Sequence, residues 1–112
     1  MIIAGDVPPG ATCRLMRSDF NAIIDGAQAA GQEARARTEA VAPELAILVS
    51  CVGRKLLLGG RTEEEIEEVQ IALGAQAVLS GFYSYGELSP PPSGYGCQLH
   101  NQTMTITTLA EI

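Results

Sequence analysis

A chain of 112 residues has the length of one compact domain and is too short for an enzyme assembled from several. Apolar residues make up 46% and charged residues 18%, a balance that excludes a disordered chain. Seven Lys and Arg against thirteen Asp and Glu leave a net charge of −6, which repels phosphate backbones and anionic bilayers, so neither nucleic acid nor membrane is an expected partner.

The chain opens with two short predicted strands, Met1–Ala4 and Thr12–Met16, around the turn-forming run Asp6-Val7-Pro8-Pro9-Gly10. Ser18 offers an oxygen to the free amides of a helix start, and Phe20, Ile23, Ile24, Ala27 and Ala30 follow at helical spacing. Gln32, Glu33, Arg35 and Arg37 form the wetter side, and Pro43 stops the helix at Ala42. Leu45-Ala46-Ile47-Leu48-Val49 is apolar without alternation, which predicts a central strand buried on both faces. After Cys51-Val52-Gly53, the segment Arg54–Leu58 reads as a helical turn or an irregular stretch, broken by Gly59-Gly60.

Thr62 with Glu65 has the spacing of a capping box, and the run Glu63, Glu64, Glu65, Glu67 and Glu68 reads as a solvated helix N-terminus, where acids complement the dipole. Ile66, Val69 and Leu73 give this helix a narrow buried stripe, and Gly74 ends it. Two last strands, Ala77–Leu88 and Cys97–Leu109, flank the Pro-rich loop Ser89–Gly94 and are expected to pair as a long antiparallel hairpin. The alternation of the last strand slips phase within His100-Asn101-Gln102, a sign of a bulge. A symmetric loop sets Glu87 beside Gln98 and Tyr85 beside His100, within about two residues. The expected fold is α+β, with a mixed, largely antiparallel sheet and two main helices in the order ββαβαββ.

Candidate functional residues gather toward one end of this arrangement. Cys51 closes the central strand, the place where α/β sheets take ligands, and Arg54 beside it can lower a thiol pKa or hold a carboxylate; a small apolar residue closing the core and a surface cation are the plainer readings of the two. His100 is the single histidine, beside Asn101 and Thr103. Four of the five aromatic residues fall within residues 82–95, Tyr85 among them, and Glu87 follows Gly86. Gly81 and Gly86 inside a strand weaken it unless a backbone or ligand comes close. Glu87 is expected to accept bonds from backbone amides or to pair with Arg54. Two chemistries stay open: Arg54 on a ligand carboxylate and Glu87 on its ammonium, with Cys51, Tyr85, His100 and Asn101 around them, or a thiol hydrolase using Cys51 and His100. No residue pattern calls for a cofactor or metal: Cys13, Cys51 and Cys97 are odd in number and form no CxxC pair, which suits reduced thiols. Met1-Ile2-Ile3-Ala4-Gly5-Asp6 lacks the features of a signal peptide, and no run approaches a spanning length, so a cytoplasmic location is expected.

Ser50-Cys51-Val52-Gly53-Arg54, Thr62-Glu63-Glu64-Glu65, Gly81-Phe82-Tyr83-Ser84-Tyr85-Gly86-Glu87 and Leu99-His100-Asn101-Gln102-Thr103, in that order and at those spacings, closely resemble the C-terminal domain of FIST proteins, the F-box and intracellular signal transduction family. Gly5-Asp6-Val7-Pro8 with Gly10 and Arg14-Leu15-Met16 resembles the segment before that family's first helix, so residues 1–112 read as a single domain similar to its later part. The resemblance implies a noncatalytic bacterial sensory domain that binds small ligands such as amino acids and works beside an N-terminal FIST domain. It carries over no catalytic residue. A structural interaction module is a further alternative, and a fragment lacking upstream residues is expected to self-associate through Met1–Ala4.

Overall fold

The computed structural model describes residues 6–38, 41–91 and 96–111. Its centre is the apolar run predicted as a strand, β1 (Leu45–Cys51), which pairs on both sides. β2 (Val78–Ser84) lies parallel to it in an unbroken register from Leu45 opposite Val78 to Cys51 opposite Ser84. β5 (Met104–Leu109) lies antiparallel on the other side, from Leu45 opposite Leu109 to Ser50 opposite Met104. A separate antiparallel pair, β3 (Glu87–Ser89) and β4 (Gln98–His100), sets Glu87 opposite His100. The mixed, largely antiparallel α+β class therefore holds.

The long terminal hairpin forms only at its loop end, as the β3–β4 pair; its outer arms part. A strand reached from β1 through a helix returns parallel to it, so β2 leaves its expected partner and joins β1. The phase slip read at residues 100–102 is the break between β4 and β5, where Gln102 takes φ +56°. The register of Glu87 falls two residues from the symmetric-loop position. Thr12–Met16 is exposed and forms no strand, and the other expected strand, Met1–Ala4, lies outside the described residues.

Two main helices cover one face of the sheet. α1 (Phe20–Arg37) is capped by Asp19 rather than by Ser18: Asp19 Oδ1 accepts from the Ala22 amide at 2.9 Å. After β1 come α2 (Val52–Leu58), a 3₁₀ turn at Gly59–Arg61, and α3 (Thr62–Leu73). α1 and α3 run side by side in the same direction, since Asn21 meets Arg61 and Gln28 meets Glu68. Ala27 and Ala34 of α1, Val69 and Leu73 of α3, and Ala46 and Leu48 of β1 make the core with Ala77 and Met104. Leu45, Ile47 and Val49 point to the other face and are only half-buried, so β1 is central but covered on one face.

Two glycines act as anticipated. Gly74 at φ +100° terminates α3. Gly81 answers to backbone: a Cβ there would stand 1.9 Å from the Leu48 carbonyl oxygen. Gly81→Ala must therefore push β2 from β1 and is expected to cost at least about 1–3 kcal/mol, read as a lower urea midpoint with an unchanged slope.

Candidate functional site

The carboxyl end of β1 and β2 holds a buried polar network that begins at Glu65. The expected capping box fails because Thr62 is already helical, led in by the 3₁₀ turn, and the residue before it makes no side-chain cap. Glu65 instead sits four residues before Val69 and eight before Leu73, on the buried stripe of α3, with no exposed surface. Arg54, 5% exposed, donates to Glu65 Oε2 from Nε at 3.0 Å and from Nη2 at 2.9 Å, and its Nη2 also donates to the Ile23 carbonyl at 2.8 Å. Glu65 Oε1 accepts from Ser50 Oγ at 3.2 Å and Tyr83 OH at 2.9 Å. Both carboxylate oxygens are thus satisfied, the condition under which a buried ion pair is tolerated. The remaining acids of the run behave variously: Glu63 and Glu67 are exposed, Glu64 binds Arg61 at 2.6 Å, and Glu68 accepts from Gln28 at 2.6 Å.

Tyr83 carries this network to the surface. Partial burial, then its bond to Glu65 and the charge of Glu65, push its pKa up to about 12, with Arg54 opposing. Lys55 Nζ lies 5.0 Å from its ring centroid. Beyond Tyr83 and Ser50 opens a groove of about 340 Å³ between α3 and β2, walled by Leu48, Ile66, Leu79 and Phe82 with Thr62, Glu63, Ser80 and Gly81.

Glu87 belongs to a second cluster. It is 1% exposed and accepts from Ser84 Oγ and Thr103 Oγ1, each at 2.9 Å. Ser84 stands opposite Cys51 in the sheet, and the Cys51 amide donates to the Thr103 carbonyl at 3.0 Å, so Glu87 bridges the two neighbours of Cys51. The expected Arg54–Glu87 pair is absent: each group is held inside its own cluster, Arg54 by a carboxylate and Glu87 by two hydroxyls. Cys51 is buried, as the plainer reading had it, whereas Arg54 is buried rather than a surface cation. His100 is half-buried, with Nε2 3.3 Å from the Ser89 carbonyl oxygen, and no hydrogen bond joins it to Cys51 among the described residues. Tyr85 is 91% exposed, and Asn101 is exposed. The structure therefore gathers Cys51 with Glu87, places Arg54 in a neighbouring network, and leaves Tyr85 and Asn101 at the surface.

Among the described residues no three His, Cys, Asp or Glu side chains converge as a metal site, and no helix is long and apolar enough to cross a membrane. The family model for the FIST C domain matches residues 1–90. The chain belongs to the FIST C domain family. Membership makes it a domain of a sensory, signal-transduction family that is not typically catalytic. Comparison with curated proteins and with solved structures gave no match. The matched region of the FIST C domain contains Arg54, Glu65, Tyr83 and Glu87 and ends before β4 and β5.

Removing one side of the buried pair strands the other, so Glu65→Ala is expected to lower unfolding free energy by about 3–5 kcal/mol, measured by chemical denaturation. Tyr83 has a folded-state pKa above the ~10 of an unfolded tyrosine, so its contribution to stability is whole below pH ~10 and is lost as pH rises toward about 12. Ultraviolet titration should show one tyrosine ionising late, and Glu65→Gln should bring it back toward ~10.

Proposed function

We propose that this FIST C domain is a noncatalytic small-ligand sensor of a cytoplasmic signalling protein, and that the ligand is an amino acid with an apolar side chain. The observation that carries the reading is the groove between α3 and β2, whose open side presents apolar walls and whose inner end presents the hydroxyls of Ser50 and Tyr83. Pockets for small molecules combine an apolar lining with a few placed polar groups in this way. Glu63 on the groove wall is suited to an ammonium group, and Lys55 against the Tyr83 ring is suited to a carboxylate. Ile66 and Leu79 would cover the side chain.

Arg54 has a different part from the one its sequence position suggests. Its guanidinium is consumed by Glu65 and Ile23, so it acts as a positioning residue: it fixes Glu65, which fixes the hydroxyls of Ser50 and Tyr83 at the groove. Ligand occupancy would then be felt through a buried network that touches β1, α1, α3 and β2, a path from the groove to the body of the domain and to an N-terminal FIST partner domain. The buried Cys51 and the Ser89-bound ring of His100 lend no support to a hydrolase.

A thermal-shift screen against the amino acids should single out one with an apolar side chain, because a ligand that binds only the folded state raises the melting temperature by mass action. Titration calorimetry should then show weaker binding for Glu63→Gln and for Lys55→Ala by about tenfold each, the loss of roughly 1.4 kcal/mol per charged contact, with the melting temperature of free Glu63→Gln unchanged because its side chain is exposed and that of free Lys55→Ala lowered only by the loss of its contact with the Tyr83 ring. Absence of any stabilising amino acid would overturn the reading.

A further inference from the structure

The segment before α1 is out of place. Residues 6–19 are exposed throughout, with Leu15 and Met16 at 85% and 84% exposure, and the chain has a radius of gyration of 15.0 Å where a closed domain of this length has about 13 Å. Yet Ala11-Thr12-Cys13-Arg14-Leu15 alternates small or apolar with polar residues, the pattern of a half-buried strand.

The topology specifies where such a strand belongs. α1 and α3 cover the same face of the sheet, and α3 carries the chain from β1 to β2 on one side. Crossovers share one hand, so a strand that reaches β1 through α1 on that same face must come from the opposite side, beyond β5. α1 lies against β5, in keeping with this. Such a strand would run parallel to β1 and antiparallel to β5, and would end where α1 begins, near Arg54, whose guanidinium binds Ile23.

That edge is open. β5 closes the strand order of its sheet, and the Cys51–Thr103 bond fixes Thr103, Thr105 and Thr107 as the residues whose backbone groups face β1, so Met104, Ile106 and Thr108 turn theirs outward. Beside it runs a groove of about 450 Å³ whose helical wall includes Ala30 and Ala34. An added strand would set Ala11, Cys13 and Leu15 against Ala30, Ala34, Met104 and Ile106, and Thr12 and Arg14 beside Thr105 and Thr107. Apolar meets apolar on one face, and polar meets polar on the other. The arm also brings Arg14 and Arg17 to an otherwise acidic chain, with Glu33 on the groove wall.

We infer that the outer edge of β5 receives residues Ala11–Leu15 of a second copy of this chain, giving a reciprocal strand-exchanged dimer. The arm stands away from its own fold while carrying the strand that the fold lacks, the condition under which protomers exchange an identical element. This inference is independent of the ligand reading, since the ligand groove lies at the other edge of the sheet.

Light scattering on the full chain should give twice the 11.8 kDa chain mass. Leu15→Asp should return it to one chain with an unchanged circular dichroism spectrum, because Leu15 touches little of its own domain. In a Cys13→Ser, Cys97→Ser background, a refolded mixture of chains carrying only Arg14→Cys with chains carrying only Thr105→Cys or Thr107→Cys should yield a reducible covalent dimer that Leu15→Asp abolishes. A monomeric wild-type chain, a dimer that survives Leu15→Asp, or a cross-link that forms only within one chain carrying both cysteines would each overturn the exchange.

Discussion

One buried carboxylate organises the carboxyl end of β1 and β2. Glu65 from α3 meets Arg54 from α2, Ser50 from β1 and Tyr83 from β2, while Arg54 reaches on to a carbonyl of α1. Taking both charges out of water carries a penalty that their attraction alone does not repay. What offsets it is full satisfaction of the carboxylate, and no buried side-chain nitrogen or oxygen among the described residues lacks a partner. An apolar replacement could give equal stability, but it would not set two hydroxyls at the wall of a groove in a fixed orientation. In that sense the ion pair specifies geometry more than it supplies stability.

The second buried glutamate makes the comparison sharper. Glu87 is held by two hydroxyls, with no guanidinium or ammonium among its bonded partners. It joins the end of β2 to the start of β5 across Cys51, so it works as a clasp on the sheet. Two acids of similar burial thus divide the tasks: one is neutralised by a cation and serves the groove, the other is dispersed over neutral donors and closes the strand ends.

The sequence revealed the elements better than their partners. The apolar run at 45–49, the helical stripe after Ser18, the Gly74 stop and the break at 100–102 were all legible because each rests on local pattern or local backbone chemistry. Pairing was not: residues 78–84 and 104–109 look like two arms of one hairpin, and only the crossover through α3 decides that both flank β1. The site was half legible. Cys51, Arg54 and Glu87 were placed near one end, but Glu65 was read as a solvated acid because five glutamates in six positions resemble a helix N-terminus. Its spacing of four from Val69 and eight from Leu73 was the available signal, and charge obscured it. Ser50 and Tyr83 stood inside the family-like motifs without a role of their own, since their roles exist only through Glu65.

The central place of β1 also sets the order in which the chain can fold as it is made. Both strands that flank β1 come later in the sequence, at residues 78–84 and 104–109, so the most apolar strand leaves the ribosome well before either neighbour. Synthesis at about 5–20 residues per second leaves that strand without a sheet partner for seconds. What it can meet meanwhile is α1, which precedes it and whose alanines share its core. Early docking of β1 on α1 would shield the nascent strand on one face while its two edges await the rest of the chain.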